Sequence, residues 1–81
     1  MRDEILRIFG EVFLEFGFGD APPVLSDDDI LLESGMDSMG FAILVTSLES
    51  ELGFDPFAVS DDPTYPVTFG EFVRFYESNR P

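Results

Sequence analysis

An aspartate and a serine stand side by side where a helix is set to begin, in the run Gly35-Met36-Asp37-Ser38-Met39. A serine oxygen in that position faces backbone N–H groups that have no partner inside the helix, at the positive end of the helix dipole. Both features favour a phosphate-like anion there, by up to about 1–2 kcal/mol. The plainer use of Asp37 and Ser38 is to cap the helix, and capping and modification are compatible. Composition removes most other chemistry. The chain has no Cys, no His and no Lys, and its four basic residues are all Arg. Disulfides, thiolate zinc sites, cysteine nucleophiles, imidazole bases and Schiff-base lysines are therefore excluded together. Asp27, Asp28 and Asp29 in succession suggest calcium, but the glycine and the twelfth-position glutamate of an EF-hand loop do not follow, so they read as a solvated cap. Paired carboxylates acting as in a glycosidase would need a substrate cleft, for which 81 residues leave no room. No catalytic residue and no metal site is expected, and the chain reads as a substrate or an adaptor.

The elements that must position Ser38 are helical. Ile5, Ile8, Phe9, Val12, Phe13 and Phe16 recur at the spacing of one helical face and predict a helix over residues 3–16. From Gly17 to Gly35 no periodicity is sustained, which predicts a long first loop. Within that loop Ser26 starts a capped single turn, with Ile30 and one of Leu31 and Leu32 tucked against the core. A second helix is predicted over 38–52, with Asp37 or Ser38 as its N-cap and Gly53 as its stop. On its wheel Phe41, Leu44, Val45, Leu48 and Leu52 fill a sector of roughly 100°, enough for a core face. Met39, Ala42, Ile43 and Thr46 fall in a separate sector, which makes them a contact patch unless the helix is sandwiched between two layers. The proline-containing stretch after Gly53 reads as a linker with at most one helical turn, in which Phe54 and Phe57 plug the core. Thr68 and Glu71 form a capping box, and Phe69, Phe72, Val73 and Tyr76 predict a last helix from about 69 to 76 or slightly beyond, with 77–81 fraying. Residues 1–81 thus form one all-α domain, a small three-to-four-helix bundle with a long first loop.

In helix order, loop length and the residues Gly35-x-Asp37-Ser38-Met39, the chain resembles the acyl carrier protein family, including the thiolation (peptidyl carrier) domains of nonribosomal synthetases. The resemblance implies that Ser38 is the covalent attachment point for 4′-phosphopantetheine, installed from coenzyme A by a phosphopantetheinyl transferase. It implies that Asp37 offers the transferase a carboxylate, to be bound directly or through a metal ion. The protein would then be no enzyme. Its cofactor thiol would hold an acyl or aminoacyl group as a thioester for partner enzymes. The chain departs from the fatty-acid carriers on the second helix, whose early exposed positions are Gly40, Ala42, Ile43 and Thr46, with acids returning only at Glu49 and Glu51. Asp37, Met39, Ala42, Ile43, Thr46 and Glu49 are the residues expected to meet partners. This face suits a stand-alone specialised carrier loaded by an adenylate-forming acyl or aminoacyl ligase and unloaded by an acyltransferase or synthase. Ten Phe residues suggest an interior already filled, and hence a cargo that is short, polar or held outside.

Seventeen acids against four Arg give a net charge of −13, with no basic residue between Ile8 and Val73. That repels nucleic acid and anionic membranes and steers basic partners inward. No apolar run approaches membrane-spanning length, and the opening residues Met1 to Ile5 resemble neither a signal nor a transit peptide. A cytoplasmic monomer is expected. The competing reading is an acidic interaction module without cofactor, for which the charge speaks and nothing else does.

Overall fold

The computed structural model describes residues 1–60 and 66–80. Helix α1 spans Arg2–Glu15, a 3-10 turn spans Leu31–Glu33, α2 spans Ser38–Leu52, α3 spans Pro56–Val59 and α4 spans Phe69–Ser78. The protein is an all-helical bundle of the predicted kind. Among the described residues the one extended pairing is an isolated antiparallel bridge between Ile30 and Thr68. Asp61, Asp62 and Tyr65, in the second half of the predicted linker, lie outside the described residues.

Helix α1 buries Ile5, Ile8, Phe9, Val12 and Phe13, the face its spacing predicts, but it stops at Glu15 and leaves Phe16 half exposed. The correction follows from Gly17, which takes the left-handed conformation with φ 76°. Its N–H donates to the Leu14 carbonyl at 3.4 Å, and the Phe18 N–H donates to the Phe13 carbonyl at 3.0 Å. These are the two bonds of a Schellman motif, and its apolar contact is present as well, with the rings of Phe13 and Phe18 6.0 Å apart. Phe18 therefore packs inward where Phe16 was expected to.

The long first loop is fastened to the start of α4. The Asp29 carbonyl accepts from Phe69 N–H at 2.8 Å, and the Asp27 carbonyl accepts from Gly70 N–H at 3.0 Å. The third free amide, that of Glu71, donates to Thr68 Oγ1 at 3.2 Å, while Glu71 Oε1 accepts from Thr68 N–H at 3.0 Å, completing the predicted capping box. All three leading amides of α4 are thus satisfied, two of them by the loop. The loop's own turn is closed by Asp29, whose carboxylate accepts from Ser26 N–H at 2.7 Å. Of the residues expected to tuck inward, Leu31 is buried, whereas Ile30 is exposed at the bridge to Thr68 and Leu32 is exposed on the 3-10 turn. Helix α4 runs to Ser78, slightly beyond Tyr76 as the spacing allows, and Asn79 Nδ2 donates to the Phe75 carbonyl at 2.9 Å to close its end.

The core lies between α1, α2 and α4. Leu44 and Leu48 enter it from α2, and Phe69, Phe72, Val73 and Tyr76 from α4. Phe54 and Phe57 are half-buried plugs at its margin, set against Tyr76 with ring centroids 6.0 and 6.4 Å away. The Cα radius of gyration, 11.9 Å, matches the roughly 12 Å of a folded chain of this length, as a loop laid against the bundle requires.

Candidate functional site

The approach to Ser38 is built from one turn, one buried anchor and one helix cap. Gly35 carries φ 104°, in the left-handed region that side chains avoid, and lets the chain reverse after the 3-10 turn. Met36 is then 1% exposed, which pins the chain to the core immediately before the helix. Asp37 is extended and forms the N-cap, its carboxylate accepting from Gly40 N–H at 2.9 Å and its carbonyl from Phe41 N–H at 2.9 Å. Of the two predicted cap candidates, Asp37 is the one used.

Ser38 is therefore released from capping. It is the first residue of α2, it is exposed, and its hydroxyl has no hydrogen-bond partner among the described residues. The backbone N–H groups of Ser38 and Met39 precede the first intrahelical bond, so the cap leaves them open. A nucleophilic or esterified oxygen at this point has free space on one side, two open amides nearby and the helix dipole behind it. Those features fit a phosphate diester on Ser38, and no buried side chain would have to move to admit one.

Gly40 sits inside the site for a steric reason. A Cβ at this position would lie 2.6 Å from Met36 Cγ and 2.6 Å from Phe18 Cζ. The bare backbone lets the first turn of α2 rest on Phe18 and Met36, and so holds Ser38 in place. Neither Phe18 nor Gly40 was singled out as a positioning residue from sequence. The available signal was a glycine within the first turn of a strong helix, where it costs about 1 kcal/mol relative to Ala and thus points to packing.

The residues expected to face partners are brought onto one helix, though not onto one uniform face. Met39 is 65% exposed and Ala42, Thr46 and Glu49 are exposed as well. Thr46 Oγ1 donates back to the Ala42 carbonyl at 2.9 Å. Ile43 differs from the expectation, being half-buried and packed against the core, so the exposed apolar stripe is narrower than the wheel implies. The helix is not sandwiched between two layers, since Met39 and Ala42 look into solvent.

Charge is uneven around the site. Among the described residues the acids of the first loop are joined to a cation only at Asp27, which receives Arg2 Nη1 at 2.5 Å, while Arg2 also lies 4.9 Å from the Phe69 ring centroid. Arg7 bridges Glu11 at 2.9 Å and Glu51 at 3.5 Å, and the Glu11 carboxylate beside it pushes its already high pKa further up. Among the described residues no cluster of acids is arranged to hold a metal ion, and no helix is long and apolar enough to cross a membrane.

A sequence model of one protein family, described as the phosphopantetheine attachment site, matches residues 3–60. The match includes α1, the first loop, Ser38 and all of α2 and α3. No curated protein and no solved structure shows significant similarity.

Proposed function

Because the chain belongs to the phosphopantetheine attachment site family, whose members are non-catalytic carriers with 4′-phosphopantetheine bound covalently to a serine, we propose that Ser38 is that serine. The observation that carries the proposal is the state of Ser38 at the head of α2: exposed, unpartnered among the described residues, and freed by Asp37 from capping duty. By contrast, the hydroxyl of nearby Ser34 is bound to the Leu31 carbonyl at 2.6 Å.

In the attachment step an Oγ–P bond forms at Ser38, the pyrophosphate bond of coenzyme A breaks, and adenosine 3′,5′-bisphosphate leaves. The serine proton passes to a carboxylate or to a base supplied by the transferase, since this chain has neither His nor Lys to take it. Asp37 holds the helix end through Gly40 N–H and is the residue next to the reacting serine. The open amides of Ser38 and Met39 lie where the new phosphate charge develops. Once bound, the group supplies a thiol on a flexible arm, on which an acyl or aminoacyl group is held as a thioester.

The partner surface begins at Asp37 and continues over Met39, Ala42, the exposed edge of Ile43, Thr46 and Glu49. It carries no charge between Asp37 and Glu49, which suits partners that read an apolar helix face, such as an adenylate-forming ligase and a downstream acyltransferase or synthase. The chain acts in this reading as a carrier domain in a specialised biosynthetic pathway of the cytoplasm.

The deciding experiment is intact mass before and after incubation with coenzyme A, magnesium and a promiscuous phosphopantetheinyl transferase, with Ser38→Ala alongside. Wild type should gain one phosphopantetheinyl group and Ser38→Ala none, with both variants equally folded by circular dichroism. A folded apo wild type that gains nothing would refute the assignment and leave Asp37 and Ser38 as a helix cap.

A further inference from the structure

One helical turn beyond Ser38, the side chain of Phe41 separates two apolar hollows. On one side Ile30, Leu31, Leu32, Pro66 and Val67 join it around about 270 Å³. On the other, Ala42, Val45, Thr46 and Phe57 join it around about 320 Å³. Three residues of helix separate Phe41 from Ser38, about 4.5 Å along the axis and on adjoining faces, so both hollows open close to the attachment point.

The ring is held on its inner side. It meets Phe72 edge-on with centroids 5.6 Å apart and Phe57 edge-on at 6.3 Å. Phe57 and Phe72 each contact Tyr76, at 6.4 and 4.9 Å, so the four rings close a circuit between α2, α3 and α4. Swinging Phe41 aside would break edge-to-face contacts on two sides. Behind it Leu44 and Phe72 are fully buried, which closes the way to the core.

We infer that Phe41 is a specificity-determining residue that keeps the two hollows apart, so that an acyl group on the Ser38 arm is enclosed only if it is short. The inference rests on the reading of Ser38 as the attachment site. The substrate class it names is a short acyl group, a few carbons in length, held against one hollow. A longer alkyl chain finds no continuous trough and stays in water. Replacing the ring by a methyl group joins the hollows along α2, from Leu32 to Phe57, and gives a long chain apolar surface to bury.

The test loads wild type and Phe41→Ala from acetyl- and octanoyl-coenzyme A with the transferase, and verifies each load by intact mass. The readouts are amide chemical shifts and the rate at which hydroxylamine cleaves the thioester. In wild type the acetyl thioester should be cleaved more slowly than the octanoyl one, and only the acetyl form should shift the amides of one hollow, at Leu31 or at Val45 and Phe57. In Phe41→Ala the octanoyl form should be cleaved severalfold more slowly than the acetyl form, with new shifts at Leu31, Val45 and Phe57. Selective protection of the octanoyl form in wild type would overturn the inference, as would identical behaviour of the two forms in the variant. Should Phe41→Ala not fold, Phe41→Leu removes the flat ring at smaller cost in packing, and the wild-type pair decides by itself whether a long chain is enclosed. If neither thioester adds to Ser38, mass alone reveals it, and the carrier reading falls together with this one.

Discussion

Gly70→Ala tests whether the first loop is seated on α4 as the structure has it. A Cβ at Gly70 would lie 2.8 Å from Asp27 Cβ, 3.1 Å from Asp27 Cγ and 3.1 Å from the Asp27 carbonyl oxygen. Carbon atoms pack best at about 3.5–4.0 Å, so the clash is several tenths of an ångström and involves the root of a side chain and a backbone atom. The loop must lift, and in lifting it stretches the 3.0 Å bond from Gly70 N–H to that same carbonyl. Overpacking of this kind costs about 1–3 kcal/mol, and a weakened backbone bond about 0.5–1 kcal/mol more. Against this stands a gain of up to about 1 kcal/mol from the better helix propensity of Ala. With the full propensity gain the balance is a loss of about 0.5–3 kcal/mol, which for a domain of this size lowers Tm by about 2–24 °C. Thermal and urea unfolding followed by circular dichroism measure it, and hydrogen exchange should show faster exchange at Phe69 and Gly70. An unchanged or higher Tm would mean that propensity wins and the loop does not rest on α4.

Two further substitutions address the core and the capping box. Tyr76 is fully buried, and its hydroxyl has no partner among the described residues, so Tyr76→Phe should stabilise the fold by about 1 kcal/mol, read as a higher urea midpoint at unchanged slope. Burial, helped by the nearby charges of Asp55 and Glu49, pushes the Tyr76 phenol up. Its contribution is therefore intact below the unfolded phenol's pKa of about 10 and lost above it, and wild type should fall further behind Tyr76→Phe at high pH. Glu71 shifts the other way, its carboxylate held below the usual range by the backbone N–H groups of Thr68 and then Val67. Its stabilising contribution is complete above the unfolded carboxylate pKa and disappears as pH falls through the lowered folded value, so Glu71→Gln should show a shallower loss of stability on acidification than wild type.

How legible this protein was depended on whether a structural decision is local or is made by distant chain. Helix α2 is local in every respect: Asp37 caps it, Gly53 ends it with φ 83°, and its boundaries coincide with those the sequence predicts. The Thr68–Glu71 box is equally local, and so was found. Phe16 was misplaced because apolar spacing continues past the point where Gly17 turns the chain, and the Gly-Phe pair that makes the Schellman contact carries a weaker signal than a sixth apolar residue in register. Asp27 and Asp29 were legible as charges and illegible as carbonyls. Their structural use is to satisfy two amides of a helix some forty residues later, and backbone hydrogen bonding of that range leaves no trace in residue type. The same division runs through the functional site. Ser38 and its cap follow from five consecutive residues, whereas Phe18 beneath Gly40, and Phe41 between two hollows lined partly by Pro66 and Val67, exist only once α1, the loop and α4 have met. With Ser38 as the proposed attachment point, what is local specifies the arm, and what is assembled from distant chain is proposed to govern what the arm can hold near the protein. A carrier can thus keep the attachment signal that its transferase reads while its cargo range changes through substitutions at positions such as Phe41, far from that signal in role though only three residues away in sequence.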